Sequence, residues 1–172
     1  MSSPKANWNR MTILTAWEAH KQIASLTNHK EHCLIIDDSV LEHSGAKRME
    51  NVTRTYEHNI GSTVKGFTCL QLGWTDGRSC FTIDSKLVAS DESKDKSKAC
   101  PKQKNKCFNH RLHGCVIRNE AYISKPELLK QMVLKAQRQG FDFSYVLMDF
   151  WFTYEVLLKW LKTREASTSL AC

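Results

Sequence analysis

Two short apolar runs that each end in aspartate are the strongest constraint on how this sequence can fold. The first, Leu-Ile-Ile at 34–36, is followed at once by Asp37 and Asp38, and the second, Tyr145–Met148, is followed by Asp149. Short apolar runs bounded by polar residues are typical of buried β-strands. If the two strands lie side by side, their terminal carboxylates emerge at the same edge of one sheet.

These acids have two interpretations. Aspartate is common after a strand because its side chain accepts hydrogen bonds from the N–H groups of a turn. Alternatively, two carboxylates at one edge repel each other unless a cation lies between them, and hard ions such as Mg²⁺ prefer carboxylate oxygens. A pair of such ions can clamp the attacking and leaving oxygens of a phosphodiester. The pattern alone leaves both interpretations open.

Helical periodicity appears in three other segments. The first is 12–26, and the second runs from the capping-box sequence Ser-Lys-Pro-Glu at 124–127 to a C-terminal cap at Gly140. The third begins with Thr153 as its N-cap. The apolar residues that form the buried stripes of the second and third helices are Leu128, Leu129, Met132, Val133 and Ala136, and Val156, Leu157, Trp160 and Leu161.

A hairpin is predicted between the first strand and these later helices. Asp76-Gly77 is a strong turn signal between an extended segment at 64–74, with Gly66 as a candidate bulge, and a returning strand with Phe81 and Ile83. The polar stretch 44–60 is interpreted as irregular or as a weak strand. The order strand, two hairpin strands, helix, strand, helix predicts an α/β fold with a mixed sheet.

Composition and charge favour a folded domain with a polyanionic partner. The chain has 172 residues, of which 41% are hydrophobic, and a formal net charge of +7. This apolar content is enough for a packed core and excludes general disorder. The positive charge suits nucleic acid without separating DNA from RNA or an acidic membrane surface.

The cysteine content and the lack of long apolar segments indicate the compartment. The seven cysteines are an odd number, and the N-terminus lacks the apolar segment of a secretory signal. We therefore expect a reduced, cytoplasmic setting rather than a disulfide framework. No stretch approaches the roughly 18 apolar residues that span a bilayer, and no membrane partner is expected.

A lysine-rich segment at about 90–118 is predicted to be a basic loop. It offers two interpretations, contact with DNA phosphates or a solvated charged face. Its candidate DNA-contacting residues are Lys94, Lys96, Lys98, Lys102, Lys104, Lys106, Arg111 and Arg118.

The same loop contains candidate zinc ligands, but their spacing does not favour a zinc site. Zinc sites usually have two pairs of ligands, each pair two to four residues apart. The candidates are Cys100, Cys107, His110, His113 and Cys115, of which Cys107 and His110 alone are convincingly spaced. Incidental thiols in a solvated loop are the favoured interpretation. No Ser/His/Asp set and no phosphate-binding glycine loop is present.

Most of the chain resembles the catalytic core of insertion-sequence transposases with an Asp-Asp-Glu triad. The resemblance is carried by LIIDDSVLEHSGAKRMENVTRTYEHNIGSTVKGFTCLQLGWTDGRSCFTIDSKLVAS, above all its YEHN and KGFTCLQLGWTDG stretches, and by YVLMDFWFTYEVLLKWL. The element Asn-Trp-Asn-Arg at 7–10 is similar to one found upstream of the first aspartate in a bacterial subgroup.

The resemblance implies a ribonuclease H-like fold, with a three-strand meander followed by helix, strand and helix, in which the first and fourth strands carry acids. Asp37 matches the first metal ligand, because the family aspartate stands two positions before a Ser or Thr, here Ser39. Asp38 is the alternative, and Asp149 matches the second ligand. Implied cofactors are Mg²⁺ or Mn²⁺, and the implied partner is double-stranded DNA, as element ends and target. A homodimer of the full-length protein is a further expectation.

Departures from the family pattern predict an inactive piece of such an enzyme. The family's third carboxylate lies on a later helix, whereas Glu155 and Glu165 come too soon after Asp149, which is itself followed by Phe150 instead of a small residue. We expect an N-terminal helical segment at 1–30, a partial catalytic domain at 31–166, truncated before its last strand and helix, and a loose tail at 167–172. The alternative is a non-catalytic nucleic-acid-binding module that retains the scaffold.

Overall fold

A computed structural model describes residues 8–45, 52–89 and 113–168 of the chain. The side chains of 8–13, 113, 114, 118 and 164–168 are outside this description. The helices are α1 (Trp8–Ala24), α2 (His113–Glu120), α3 (Lys125–Arg138) and α4 (Glu155–Thr168). The strands are β1 (Cys33–Glu42), β2 (Thr53–Glu57), β3 (Ser62–Thr75), β4 (Cys80–Val88) and β5 (Tyr145–Met148).

The five strands form one mixed sheet, which confirms the predicted α/β class. The strand order is β2-β3-β1-β5, and β4 also pairs with β3. β1 and β5 are parallel, while β2 and β3 are antiparallel. β2 lies in the stretch expected to be irregular or weakly extended, and its sequence TRTYE has almost no apolar content to reveal it. Because β2 is a strand of its own, Asp149 follows the fifth strand of the chain and not the fourth.

The residues group into two compact units. Among the described residues, one comprises 8–37, 72–83 and 126–168, and the other comprises 38–45, 52–71, 84–89 and 113–125. The first has a core that includes Leu34, Ile36 and Trp74, all at most 1% exposed. The second buries Leu70 completely, together with Ala121 at the end of α2.

α3 follows its sequence pattern closely. Its five buried residues are the predicted stripe, Leu128, Leu129, Met132, Val133 and Ala136. The helix ends before Gly140, which has a φ of +81° as its predicted capping role requires. A Cβ at Gly140 would lie 2.9 Å from Cη2 of Trp17, so α1 also packs closely there.

Two helix predictions were wrong in detail. Residues 113–118 were expected to belong to the basic loop, but they lie in α2. Thr153 was expected to cap the last helix, but it closes a one-turn 3-10 helix at Phe150–Phe152, and α4 begins at Glu155. Val156, expected to be buried, is 61% exposed, whereas Leu157 is fully buried as predicted. Among the described helices, none is long and apolar enough to cross a membrane.

The predicted hairpin joins β3 and β4 through a turn centred on Asp76 and Gly77. Gly77 has a φ of +86°, and the Asp76 carboxylate accepts hydrogen bonds from the backbone N–H of Ser79 at 2.5 Å and of Arg78 at 3.0 Å. These bonds, that of Ser79 first, lower the pKa of the Asp76 carboxyl, although burial opposes them. Asp76 is only 2% exposed, so its charge depends on these donors.

Asp76 should make the stability of the protein pH-dependent. Because its pKa is lowered in the folded state, its contribution is complete above about pH 4, near the unfolded value, and is lost as the pH falls through the folded value. At pH 7 we expect Asp76→Asn to reduce the free energy of unfolding by about 1 kcal/mol. Urea unfolding of both proteins at pH 7 and pH 3 should show this difference shrinking at low pH, and a constant difference would contradict the assignment.

Gly66 of β3 lies against the backbone of β1. A Cβ at Gly66 would lie 2.2 Å from the carbonyl oxygen of Leu41, a distance that no side chain tolerates. The backbone N–H of His43, just after β1, donates to the carbonyl of Lys65 in β3 at 2.8 Å, so the backbones of these two segments are in direct contact. Gly66 is thus a position of close backbone approach, and the bulge proposed for it stays a prediction.

Gly66→Ala should destabilise the protein strongly, whereas Gly45→Ala should not. The first substitution forces β1 and β3 apart and should cost about 3 kcal/mol, at the upper end of overpacking effects. The second is a matched control, since a Cβ at Gly45 meets nothing within 4 Å. Chemical denaturation of the two variants measures the difference, and equal stabilities would refute the close contact.

Candidate functional site at the ends of β1 and β5

The parallel pairing of β1 and β5 brings the two acid-ended strands together. Four residue pairs are in register, from Cys33 opposite Tyr145 to Ile36 opposite Met148. Asp37 and Asp149 each follow directly after the last pair, and neighbouring strands lie about 4.8 Å apart. The two aspartates are thus level with each other at the carboxyl ends of adjacent strands, as the two apolar runs predicted.

Asp37 and Asp149 are also more exposed to solvent than the residues that directly precede them in the two strands. Side chains of a strand alternate between faces, and paired residues of parallel strands point to the same side. Ile36 and Met148, one position earlier, are 1% exposed and half-buried respectively, whereas both aspartates are exposed. This edge of the sheet therefore exposes two carboxylates to solvent, whereas the strand residues directly before them are buried or half-buried.

Asp149 also caps a turn, so the first interpretation of this acid is confirmed. Its φ of −69° and ψ of 158° are extended, and its carboxylate accepts a hydrogen bond from the Phe150 N–H at 2.5 Å. A carboxylate has about four acceptor positions, so one such bond leaves capacity for a further ligand. The cap orients the Asp149 side chain without using up its oxygens.

Asp38 has a different environment from Asp37. Its carboxylate forms an ion pair with the ammonium group of Lys125, at the start of α3, and both side chains are about a third exposed or less. Successive strand residues point to opposite faces, so Asp38 and Asp37 point away from each other. Lys125 compensates the charge of Asp38 on its own face.

The residues after Asp149 support it unequally. Phe152 is 2% exposed. Trp151 is 60% exposed and Phe150 is 76% exposed. The one-turn helix therefore directs Phe152 inward and its two predecessors outward.

Comparison with known proteins identifies the family. A family model described as DDE superfamily endonuclease matches residues 5–171, nearly the whole chain. The chain belongs to the DDE superfamily of endonucleases. No curated protein and no solved structure matches it.

Membership of the DDE endonuclease family indicates the general type of chemistry, substrate and metal ion. The family is of the nuclease or transposase type, acts on nucleic acid and typically uses divalent metal ions. The mixed sheet is consistent with the ribonuclease H-like fold implied by the sequence resemblance.

The other predicted site residues lie mostly outside the described part of the chain. Those outside it are Lys94, Lys96, Lys98, Lys102, Lys104, Lys106, Arg111, Cys100, Cys107 and His110. Arg118 and His113 are in α2, but their side chains are not described. Phosphate contact by the basic residues therefore stays a prediction.

Cys115 departs from the expectation of reduced thiols. It is 3% exposed within α2 and is disulfide-bonded. A cysteine in a disulfide has no thiolate to offer to a metal. Cys115 is therefore not available as a zinc ligand.

A second cluster of polar residues, which was not predicted from the sequence, lies at the opposite ends of β1 and β5. His29, His32 and Asp142 each offer a ligand atom, and these atoms lie within 4.8 Å of one another. The two histidines are three residues apart, a spacing known from metal sites, but Asp142 is 110 residues beyond His32. The histidine pair was the signal that could have led to this cluster.

The support of the Asp149 end can be tested by truncating its aromatic neighbours. We expect Phe152→Ala to lower the free energy of unfolding by about 3 kcal/mol, because it leaves a cavity in a close-packed core. Trp151→Ala is the control and should cost no more than about 1 kcal/mol, since an exposed ring has less packing to lose. Urea titrations measure the free energy of unfolding of both variants. A larger decrease for Trp151→Ala than for Phe152→Ala would show that Trp151, and not Phe152, is the buried ring.

Proposed function

We propose that this chain carries two metal-binding carboxylates, Asp37 and Asp149, of an insertion-sequence transposase that cleaves and joins DNA. The observation that carries the proposal is the register of β1 and β5, in which these residues are the next pair after Ile36 and Met148. The family match supports a nuclease-type chemistry for an edge of this kind. The resemblance to insertion-sequence transposases narrows that chemistry to transposition.

The chemistry of the two side chains fits a hard divalent cation, Mg²⁺ or Mn²⁺. Both groups are exposed carboxylates on adjacent strands, and like charges directly opposite each other are destabilising without a counterion. Oxygen ligands are the preferred partners of Mg²⁺. A divalent cation bound here would supply a Lewis acid for the phosphoryl oxygens and a water of lowered pKa.

The protein contributes the positions of the two carboxylates. Asp37 is positioned by the β1 backbone, and the Asp149 carboxylate is oriented by the Phe150 N–H, in a one-turn helix whose Phe152 is buried. Preorganised groups of this kind save the cost of reorganisation when charge develops at the phosphate. Asp37 is the proposed ligand in preference to Asp38, because Asp38 is paired with Lys125 on the other face.

Charge supports a nucleic-acid substrate, and the resemblance to insertion-sequence transposases narrows it to double-stranded DNA. The formal net charge of +7 favours association with a phosphate backbone, whose neutralisation releases counterions. We propose that the basic segment at about 90–118 contributes to this contact. The DNA would be held as the ends of a mobile element and as its target.

The third carboxylate of the triad is proposed to come from outside the described residues. Glu155, the first acid after Asp149, is about three-quarters exposed and forms an ion pair with Lys159 at 2.5 Å. Its position six residues after Asp149 is too early for the family's glutamate, as the sequence resemblance implies. We therefore propose that the described residues supply two of the three carboxylates.

A second candidate function is a non-catalytic nucleic-acid-binding module. The observation that favours it is that the described residues bring two carboxylates, and not three, to the edge at Asp37 and Asp149. Such a module would keep the sheet and the positive charge and would bind DNA without chemistry. Metal binding at the two carboxylates separates the two functions, since the module does not need it.

The metal site can be tested by Mn²⁺ titration followed by electron paramagnetic resonance. We expect wild-type protein to bind Mn²⁺, and both Asp37→Asn and Asp149→Asn to weaken binding at least about tenfold, because each removes a charged ligand. Asp38→Asn is the matched control, one residue away on the same strand, and should retain binding.

Two outcomes would contradict this proposal. Loss of Mn²⁺ binding in Asp38→Asn but not in Asp37→Asn would show that Asp38 is the ligand. Unchanged binding in all three variants would favour the non-catalytic module. Mg²⁺-dependent nicking by the wild-type chain that disappears in Asp149→Ala would instead support the metal site and show that this chain supplies a complete catalytic site.

A further inference from the structure

A compact cluster of two histidines and one aspartate lies at the amino ends of β1 and β5. Nε2 of His29 is 2.9 Å from Oδ1 of Asp142, and Nδ1 of His32 is 3.3 Å from Oδ2 of the same carboxylate. His32 directly precedes β1, and Asp142 lies three residues before β5. Both rings thus direct one nitrogen at a single carboxylate.

The hydrogen bond on the far side of His32 assigns its tautomer. Nε2 of His32 lies 2.8 Å from Oγ1 of Thr27, and Thr27 donates its single hydroxyl hydrogen to the carbonyl of Ile23 at 3.1 Å. With that hydrogen used, Oγ1 of Thr27 accepts from Nε2–H of His32. In the neutral ring the lone pair is then on Nδ1, which faces Asp142.

His29 has the same arrangement. Its Nδ1 lies 3.1 Å from Oγ of Ser144, and Ser144 donates to the His29 backbone carbonyl at 3.1 Å. Oγ of Ser144 therefore accepts from Nδ1–H of His29. The lone pair of the neutral ring is on Nε2, which also faces Asp142.

Two nitrogen lone pairs and a carboxylate therefore converge, although all three are acceptors. Acceptors at 2.9 and 3.3 Å repel one another unless a positive charge lies among them. We propose that His29, His32 and Asp142 bind a Zn²⁺ ion through Nε2, Nδ1 and a carboxylate oxygen. This site is separate from Asp37 and Asp149 and takes no part in the proposed transposase chemistry.

The ligand set and its surroundings suit zinc. Imidazole nitrogen and carboxylate oxygen are regular Zn²⁺ ligands, and a histidine ligand usually donates its other N–H to a fixed partner. Thr27 and Ser144 are such partners here. The His29 side chain is 61% exposed and that of Asp142 39%, so an ion can enter and water can complete a tetrahedral site.

Asp142 is held in place from its backbone as well. Its carbonyl accepts a hydrogen bond from Nε1 of the buried Trp74 at 2.6 Å, and its N–H donates to Nε2 of His20 at 3.1 Å. His32 is itself buried completely, with its ring 4.9 Å from that of Trp74. The carboxylate and the buried histidine are therefore preorganised before any ion arrives.

The proposed ion would fasten the starts of the two strands to each other. The backbone N–H of Ser144 already donates to the His32 carbonyl at 2.8 Å, immediately before the first register pair. An ion shared by the segments before β1 and β5 would strengthen this junction and oppose a slip in register. We assign the ion a structural role on this basis.

Zinc binding to the full chain can be measured by isothermal titration calorimetry without added thiol, so that the Cys115 disulfide stays intact. We use Asp149→Asn protein as the background, so that a metal bound at the other edge does not contribute. One Zn²⁺ per chain should bind with a Kd of about 1 µM or tighter. At free Zn²⁺ of 100 times Kd, Tm should rise by roughly 5–10 °C, and a chelator should reverse the rise.

Variants separate this site from adventitious binding to cysteines or other histidines. His29→Ala removes an exposed ligand with little risk to folding, and it should weaken binding at least about tenfold. Thr27→Val, which removes the hydroxyl partner of His32 together with its hydrogen bond to the Ile23 carbonyl, should weaken binding by about tenfold. His58→Ala is the matched control, because His58 is an exposed histidine in the turn between β2 and β3, and it should bind as before.

The outcomes decide between a bound ion and protons as the positive charge in the cluster. If His29→Ala and the background protein bind Zn²⁺ equally, or if binding is weaker than about 100 µM, the zinc site is refuted. The cluster is then a histidine–aspartate network with protonated rings. Neither result bears on Mn²⁺ binding at Asp37 and Asp149, which is measured separately.

Discussion

The parallel pairing of β1 with β5 is the constraint on which the candidate site depends. Side chains alternate along a strand, so a slip of one residue would move every β5 side chain to the other face relative to β1. In the observed register Asp149 is level with Asp37. A slip would place it level with Asp38, which is paired with Lys125. The chemistry proposed for this chain therefore rests on backbone hydrogen bonds between two short strands, of which β5 has four residues.

Both ends of this strand pair carry clusters of potential metal ligands, and the two clusters differ in kind. The carboxyl ends present two exposed aspartates, hard ligands suited to Mg²⁺, whereas the amino ends present two imidazoles and one carboxylate, suited to Zn²⁺. Four register pairs separate them, a distance of about 13 Å along the strands. One cluster is proposed to act on the substrate and the other to secure the strands that position it. A stable junction at one end would reduce motion of the aspartates at the other.

Much of the fold, and the neighbouring ends of β1 and β5, could be predicted from the sequence, because the signals were local. The bounds of β5 and the buried stripe of α3 follow from short apolar patterns. The placement of Asp37 next to Asp149 follows from two similar apolar runs, each of which ends in aspartate. The rest depended on contacts far apart in the sequence. Asp38 and Lys125, 87 residues apart, distinguish the two neighbouring acids, and Asp142 reaches His32 across 110 residues. β2 is too polar, and α2 too close to a lysine-rich segment, for either to have a pattern of its own.

Anomalous diffraction from crystals grown with Mn²⁺ tests the central claim most directly. The account predicts an anomalous peak at the carboxyl ends of β1 and β5, with at least one oxygen of Asp37 and one of Asp149 about 2.2 Å from it, near the distance for hard divalent ions. A peak bound by Asp38 instead, or carboxylates of Asp37 and Asp149 on opposite faces of the sheet, would contradict it.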